Sequence, residues 1–276
     1  MLVLPQDPNV RECWQSWAAN SLQPSLALHA LAESGKLMAF PELAALPGTP
    51  QDPEWHPEGD VWIHTLLVCD QAALIAQRDG LDARETGILV FAALCHDLGK
   101  PGTTVLQSGR WRSPMHAQTG IPIAVSFLQR IGAGSDLIDI VKPLVAEHLV
   151  HTQPATSTAA VRRLLKRLEP ASFSQLIRLI EADLRGRPPL AGTLPESVLR
   201  LHRRVQELPV YAMRRTPESP PLVLGRHLVE LGHTPGPAFR EILDQCYQAQ
   251  LAGAFSDQPG AMEFVRKLLQ GSSRTS

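Results

Sequence analysis

The sequence predicts an all-α fold, a helical bundle followed by a small helical C-terminal extension. Two observations carry this. Alanine and leucine dominate the 276 residues and aromatic residues make up only 5%, a composition that suits a soluble helical protein. Apolar residues also recur at helical spacing, in runs whose ends are marked by single glycines and prolines.

In chain order, residues 9–22 and 25–38 read as two short helices with apolar faces. Residues 41–60 carry several prolines and read as an ordered loop. Asp60 is a good N-cap for a long helix on which Ile63, Leu66, Leu67, Ala73 and Leu74 share helical spacing, and this puts His64 in its first turns. Residues 83–98 are apolar nearly all round, as expected of a central buried helix. Gly99 is placed to end that helix and Pro101 to forbid its continuation, so His96 and Asp97 sit on its last turn. Residues 102–115 form a polar loop with room for a small hairpin. Helices follow at 117–131, 136–150, 157–168 and 171–185, the last stopped by Arg185-Gly186-Arg187-Pro188-Pro189. Residues 195–208 are helical again, and 211–221 read as a linker. Two helix-like runs, 224–231 and 236–251, are joined by residues 232–237, and a short helix near 258–270 closes the chain. This divides the chain into a helical lead-in (1–59), a main domain (60–210) and an extension (211–276).

Several function classes are disfavoured at once. The formal net charge is −1, so no global field draws the chain to nucleic acid or membrane; a polyanionic substrate needs local charge or metal. Cys13, Cys69, Cys95 and Cys246 are widely separated and form no CxxC, which points to reduced structural thiols in a cytoplasmic protein. The first residues are too soon broken by Pro5 to make a signal peptide, and no uncharged apolar stretch is long enough to cross a bilayer.

The chemistry lies in the order H…HD…H…H…D. His96 and Asp97 stand side by side after an apolar run, with His64 before them and His116, His148 and Asp183 after. Neutral imidazole nitrogen and carboxylate oxygen are good donors for divalent transition metals. Asp97, with two oxygens, is the natural bridge between two ions: one would take His64, His96, Asp97 and Asp183, the other Asp97, His116 and His148. A site holding a single ion on His64, His96, Asp97 and Asp183 stays open. The donor set favours Mn, Fe, Co, Ni or Zn over Mg. Divalent ions of this kind generate hydroxide from water near neutral pH, chemistry suited to hydrolysis of phosphate esters. His29, His56, His202, His227 and His233 read as structural or surface residues, and His151 lies one turn beyond His148 on the same face.

These motifs resemble the HD superfamily of metal-dependent phosphohydrolases. The stretch 50–66, His96-Asp97-Leu98-Gly99-Lys100-Pro101, His116 with Gly120, Glu147-His148 and residues 182–187 are similar to the HD region of bacterial multifunctional CCA-adding enzymes. Those are tRNA nucleotidyltransferases in which an HD region follows the polymerase part. In the tail, residues 225–232, 235–237 and 247–251 continue the likeness, which spans roughly residues 24–270. Two departures stand out. No polymerase head with its Asp-x-Asp motif is found, so the chain reads as a free-standing HD portion and CCA addition is not expected. At the third histidine, where relatives often carry Gly-His-Glu, this chain has Met115-His116-Ala117-Gln118, keeping the ligand and losing the acid.

The resemblance implies hydrolysis of phosphate esters of nucleotides or RNA ends, 2′,3′-cyclic phosphates among them, with one or two divalent ions. Lys100 is then a cation for the phosphate, and Arg185 and Arg187 offer bidentate contacts. Arg110 and Arg112, beside Trp111, are candidates to cover a nucleobase. The competing reading is a non-catalytic HD module that binds tRNA or a separate nucleotidyltransferase.

Overall fold

In the computed structural model the described residues are 2–152, 157–188, 194–207, 221–233, 236–251, 254–255 and 257–272. The chain forms two compact units, Met1–Leu208 and Pro209–Ser276. The fold is all-α apart from one small hairpin.

The first unit is built around two adjacent helices, α4 (Val61–Arg78) and α5 (Ala83–Cys95). Both begin on an aspartate. Asp60 accepts from the Ile63 amide at 2.9 Å and Asp82 from the Glu85 amide at 2.8 Å, each satisfying one of the orphaned donors of a helix start. Helix α5 is buried without a break from Gly87 to Cys95, as its all-round apolar sequence predicts. Helix α4 differs from expectation in detail. Its buried face is set by Val61, Thr65, Val68, Cys69 and Ala72, whereas Ile63 and Leu74 are exposed.

The N-terminal helices α1 (Val10–Asn20) and α2 (Pro24–Glu33) pack on this pair. Trp14 meets Trp17, Phe40 and Phe127 edge-on, with ring centroids 5.4, 5.1 and 5.3 Å away. Such contacts are favoured by the aromatic quadrupole and bury large area. The lead-in is therefore part of the core of this unit. At the start of α2, Ser25 donates from both its amide and its hydroxyl to Asp70 on α4, at 2.8 and 2.7 Å.

The proline-rich stretch after α2 is more helical than its sequence suggests. A 3-10 turn at Lys36–Ala39 and a single-turn helix α3 (Pro41–Ala44) precede the extended part. Glu42 on α3 is buried and accepts from Ser126 Oγ (2.6 Å) and Arg130 Nε (3.0 Å). These partners belong to the distant helix α7 (His116–Arg130), a contact that periodicity does not report.

After α5 the chain turns through residues 96–99 into a one-turn helix, α6 (Lys100–Thr103). His96 is the C-cap of α5 and Asp97 lies in the turn beyond it, so the doublet sits just past the helix and not on its last turn. Pro101, expected as a stop, stands in the first turn of α6, where its missing amide donor costs nothing. Strands β1 (Val105–Gln107) and β2 (Arg110–Arg112) pair antiparallel, Leu106 opposite Trp111. Ser108 and Gly109, both at positive φ (52° and 74°), make the tight turn, as a two-residue hairpin loop demands.

Helix α8 (Ser135–Glu147) packs on α7, and α9 (Thr158–Leu168) packs on α8. Helix α10 (Phe173–Arg185), opened by a Ser172–Gln175 capping box, runs back along α4, and α11 (Glu196–Gln206) packs on α9. Prolines are not confined to element ends: Pro122 and Pro143 stand inside α7 and α8, on exposed and half-buried flanks where water can take the carbonyls they leave unpaired.

The second unit holds α12 (Gly225–Glu230), α13 (Pro237–Leu251) and α14 (Gln258–Ser272) around Val223, Leu228, Cys246, Phe255, Ala261 and Val265. The expected linker at 211–221 lies outside the described residues but for Pro221. No helix among the described residues is long and apolar enough to cross a membrane.

Candidate metal centre

Six side chains from five places in the chain meet in the first unit: His64, His96, Asp97, His116, His148 and Asp183, each no more than 7% exposed. His64 comes from the first turn of α4, His96 caps α5, and Asp97 follows it. His116 opens α7, His148 caps α8, and Asp183 is in the last turn of α10. Helix ends face this centre, and a helix end suits histidine for a specific reason. The last carbonyls of a helix lack intrahelical donors. His96 Nδ1 donates to Ala93 O and His148 Nδ1 to Val145 O, both at 2.7 Å. His116 Nδ1 donates likewise to Ser113 O at 2.7 Å. A carbonyl only accepts, so these three rings carry their proton on Nδ1 and turn Nε2 to the centre. This is the tautomer a metal requires.

The centre has two halves divided by Asp97. Oδ2 lies 3.2 Å from His96 Nε2 and 3.7 Å from His64 Nε2. Oδ1 lies 3.3 Å from His116 Nε2 and 3.9 Å from His148 Nε2. Asp183 Oδ1 closes the first half, 3.0 Å from His64 Nε2 and 3.9 Å from His96 Nε2. In each half two Nε2 atoms approach to 3.3 Å. Two lone pairs facing each other at that distance repel unless a proton or a metal ion lies between them.

Neither Asp97 Oδ1 nor Oδ2 accepts a well-formed hydrogen bond, and Lys100 Nζ lies 2.7 Å from Oδ2 at a poor angle. Buried carboxylate oxygens without donors are costly. Burial drives the Asp97 and Asp183 carboxyls upward, yet both lie well below the usual carboxylate range. His96 and Lys100 hold Asp97 down; Arg187 and His64 do the same for Asp183. His148 is pushed down to about 3 by burial and by His96, which keeps it neutral and fit to donate a lone pair. The orphaned oxygens, the facing Nε2 atoms and the N/O donor set all fit divalent metal ions, and both halves have the spacing to hold one.

One partner of the centre stands outside the H…HD…H…H…D order. Glu58, in the proline-rich loop, has its side chain 1% exposed and places Oε1 2.7 Å from His64 Nδ1 and 2.8 Å from His56 Nδ1. The His64 contact is short but off the ideal hydrogen-bond angle. Burial opposes the Glu58 charge, and the two histidines overcome it, bringing the carboxyl down to about 2. His64 thus has a carboxylate on each side, Glu58 at Nδ1 and Asp183 at Nε2. A neutral ring has one N–H and cannot serve both, so a proton or a metal ion belongs on Nε2. His56, expected to be structural or on the surface, packs edge-on against His64 with centroids 4.7 Å apart.

The arginines divide. Arg187 pairs with Asp183 and lines the cavity above the centre. Arg185, expected beside it as a phosphate contact, is held elsewhere. Its Nε donates to Glu181 at 2.8 Å, a carboxylate that Arg78 also grips, and it does not line that cavity. Arg185 is the last residue of α10, whereas Arg187 lies beyond its C-cap Gly186, so the two side chains leave in different directions. Lys100 is buried between Asp97 and Gln51, donating to Gln51 Oε1 at 2.7 Å. His151 is held by His148 O at 3.2 Å and does not line the cavity.

Two glycines fix the approach of the ligand-bearing elements. A Cβ on Gly99 would overlap His116 O and lie 2.7 Å from Gly120 N, so only glycine lets the turn after Asp97 touch the start of α7. A Cβ on Gly186 would lie 2.5 Å from Val68 Cγ2, so glycine seats the end of α10 on α4. Met115, just before His116, is a non-glycine residue in the left-handed region (φ 59°), strain of the kind that gathers at functional sites.

Residues 61–188 match the family model of the HD domain. This segment is similar to an HD domain. It begins with the first residue of α4 and ends just past Arg187, so all six residues of the centre fall inside it while Glu58, His56 and Gln51 fall outside. The chain is also 39% identical over 174 residues to the multifunctional CCA protein of Xanthomonas campestris pv. campestris strain B100, and equally to that of strain ATCC 33913. Each match covers 60% of this chain and 40% of the relative. The chain thus spans well under half the length of these relatives and resembles their HD portion.

Proposed function

We propose that this chain is a metal-dependent phosphohydrolase acting on phosphate esters at nucleotide or RNA ends, 2′,3′-cyclic phosphates among them. The observation that carries the reading is Asp97. Its two buried oxygens each face a different pair of histidine Nε2 atoms, and neither accepts a well-formed hydrogen bond. Two ions would be held, one by His64, His96, Asp97 and Asp183, the other by Asp97, His116 and His148. When bound, divalent ions supply Lewis acidity toward a phosphoryl oxygen and hydroxide from water near neutral pH.

The chain's own residues do the rest. Lys100 and Arg187 line the cavity and bring positive charge to where a phosphate would lie, opposing the charge that grows there. Arg187 also keeps Asp183 ionised, and Gln51 holds the Lys100 ammonium in place. In hydrolysis an oxygen from water bonds to phosphorus, the phosphorus–ribose oxygen bond breaks, and the ribose oxygen takes up a proton. Arg185 has no part in this. The HD family and the similarity to proteins named for CCA support a nucleotide or tRNA-linked substrate.

The test uses purified protein assayed for bound metal and for turnover of bis(p-nitrophenyl) phosphate and 2′,3′-cyclic AMP with Mn²⁺, Ni²⁺ or Mg²⁺. Turnover of at least one, lost in Asp97→Ala, is the expected result. Undiminished turnover in that variant overturns the reading. Tight metal binding with no turnover of either ester would favour a non-catalytic HD module instead.

A further inference from the structure

The cavity above the centre encloses about 1300 Å³, more than the ~300–1,000 Å³ usual for a small-molecule site. A single phosphate ester leaves much of it unfilled, and the nature of the remaining walls indicates what fills it. Of the five tryptophans, Trp14, Trp17 and Trp62 are buried; Trp55 and Trp111 are 57% and 37% exposed, and both line this cavity. They come from different segments that are fastened together. Arg110 on β2 donates to Asp52 at 2.6 Å and lies 2.6 Å from Glu54, pinning the hairpin that carries Trp111 to the loop that carries Trp55. Two aromatic faces are thus held on one wall beside the reactive centre.

A second wall is α9. Thr158–Leu168 carries Arg162, Arg163, Lys166 and Arg167 and no acidic residue, in a chain whose net charge is −1. Arg163 and Arg167 line the cavity. Arg167 is paired with Glu147, whereas Arg162, Arg163 and Lys166 are exposed and form no ion pair with a described residue. At 1.5 Å per residue this helix is about 16 Å long, enough to face more than one phosphate. A mononucleotide would place its phosphate at the centre and leave these cations unused.

We propose that the cavity is a groove for the end of a single-stranded polynucleotide. Bases next to the terminal phosphate stack on Trp55 and Trp111, and the upstream backbone leaves the cavity past Arg163 toward Arg162 and Lys166, which are exposed on the same helix outside the cavity lining. Tryptophan faces accept any base, and a basic helix tracks phosphates without reading sequence, so the groove is strand-specific and not sequence-specific. The inference rests on the phosphohydrolase reading for the chemistry at the terminus and deepens it by naming the substrate class.

The experiment measures binding of the full chain to labelled RNA and DNA strands of about twelve nucleotides. Both end in a 3′-hydroxyl and so offer no terminal phosphate to hydrolyse; AMP is the competitor. Two variants are compared with wild type across a salt series, W55A/W111A and R162Q/R163Q/K166Q; all five side chains are exposed. A strand should bind at least tenfold tighter than AMP and shield the exposed tryptophans from acrylamide quenching. The tryptophan variant should lose about 5- to 150-fold per stacked base. The arginine–lysine variant should flatten the slope of log K against log salt by about 2, from ~0.7 per lost phosphate contact. Tighter binding of RNA than of DNA makes the strand RNA; equal binding leaves the sugar unread. Equal affinity for strand and AMP, or two variants that bind strands as wild type does, overturns the proposal. Turnover of bis(p-nitrophenyl) phosphate by wild type separates the two readings. If it persists without strand preference, the groove alone fails; if it is absent while strand binding behaves as described, the hydrolase reading alone fails.

Discussion

Glu58 gives the sharpest test of how the centre is held. Its carboxylate lies 2.7 Å from His64 Nδ1, and no other acceptor for that nitrogen is found among the described residues. Glu58→Gln keeps the shape and removes the charge. A bond to an ionised partner contributes about 1.5–3 kcal/mol net and a neutral one about 0.5–1.5, so with this contact off the ideal angle the loss is at most about 1–1.5 kcal/mol. At ~1.4 kcal/mol per factor of ten, metal affinity should fall by up to about 12-fold. Glu58→Ala goes further, leaving a buried N–H without an acceptor and the ring free to turn. Its loss should approach the ~100-fold upper end seen for partners that orient metal-bound histidines. Competition of Mn²⁺ or Zn²⁺ between protein and a chromophoric chelator measures this, with thermal unfolding of the metal-free protein as the control for folding. Wild-type affinity in both variants would refute the claim that Glu58 orients His64 toward an ion.

Other expectations follow from the same contacts. Burial works against the Glu42 charge, but Arg130 and Ser126 hold its pKa below the ordinary 4.5. Its stabilisation is therefore full above about pH 4.5 and is lost as pH falls through the lower folded-state value. Glu42→Gln should cost about 1.5–3 kcal/mol in urea unfolding at pH 7, with a smaller deficit at pH 3; a deficit that grows on acidification would reverse the sign argued here. Gly99→Ala forces the turn after Asp97 off α7, so unfolding should show a loss of about 1–3 kcal/mol and bound metal should drop with it. Arg187→Ala should lower kcat/KM for the phosphodiester about tenfold or more, while Arg185→Ala, whose partner is Glu181, should stay within about twofold. Equal losses in the two variants would mean that the ion-pair partners misidentify their roles.

Much of the fold is legible in the sequence because helices declare themselves locally. The long helices follow apolar periodicity and caps such as Asp60, Asp82 and Ser172. The six residues of the centre are legible because each sits at a helix end that glycine or an apolar run marks. What is not legible depends on contacts between distant segments. Glu58, His56 and Gln51 lie in a proline-rich loop without periodicity, and only the folded chain brings them to His64 and Lys100. The direction of Arg185 is similar: the motif Arg185-Gly186-Arg187 shows two cations but not that the helix ends between them, one turning to Glu181 and the other to Asp183. The exposed Ile63 and Leu74 show the same limit for hydrophobicity, since neighbours decide which apolar residues a helix buries.

The central claim is that Asp97 bridges two cations. Anomalous scattering from crystals grown with Mn²⁺ or Zn²⁺ tests it most directly. Two peaks are expected within residues 61–188, one touching His64, His96, Asp97 and Asp183, the other Asp97, His116 and His148. A single peak among these six side chains, or none with metal present elsewhere in the crystal, would contradict the bridge.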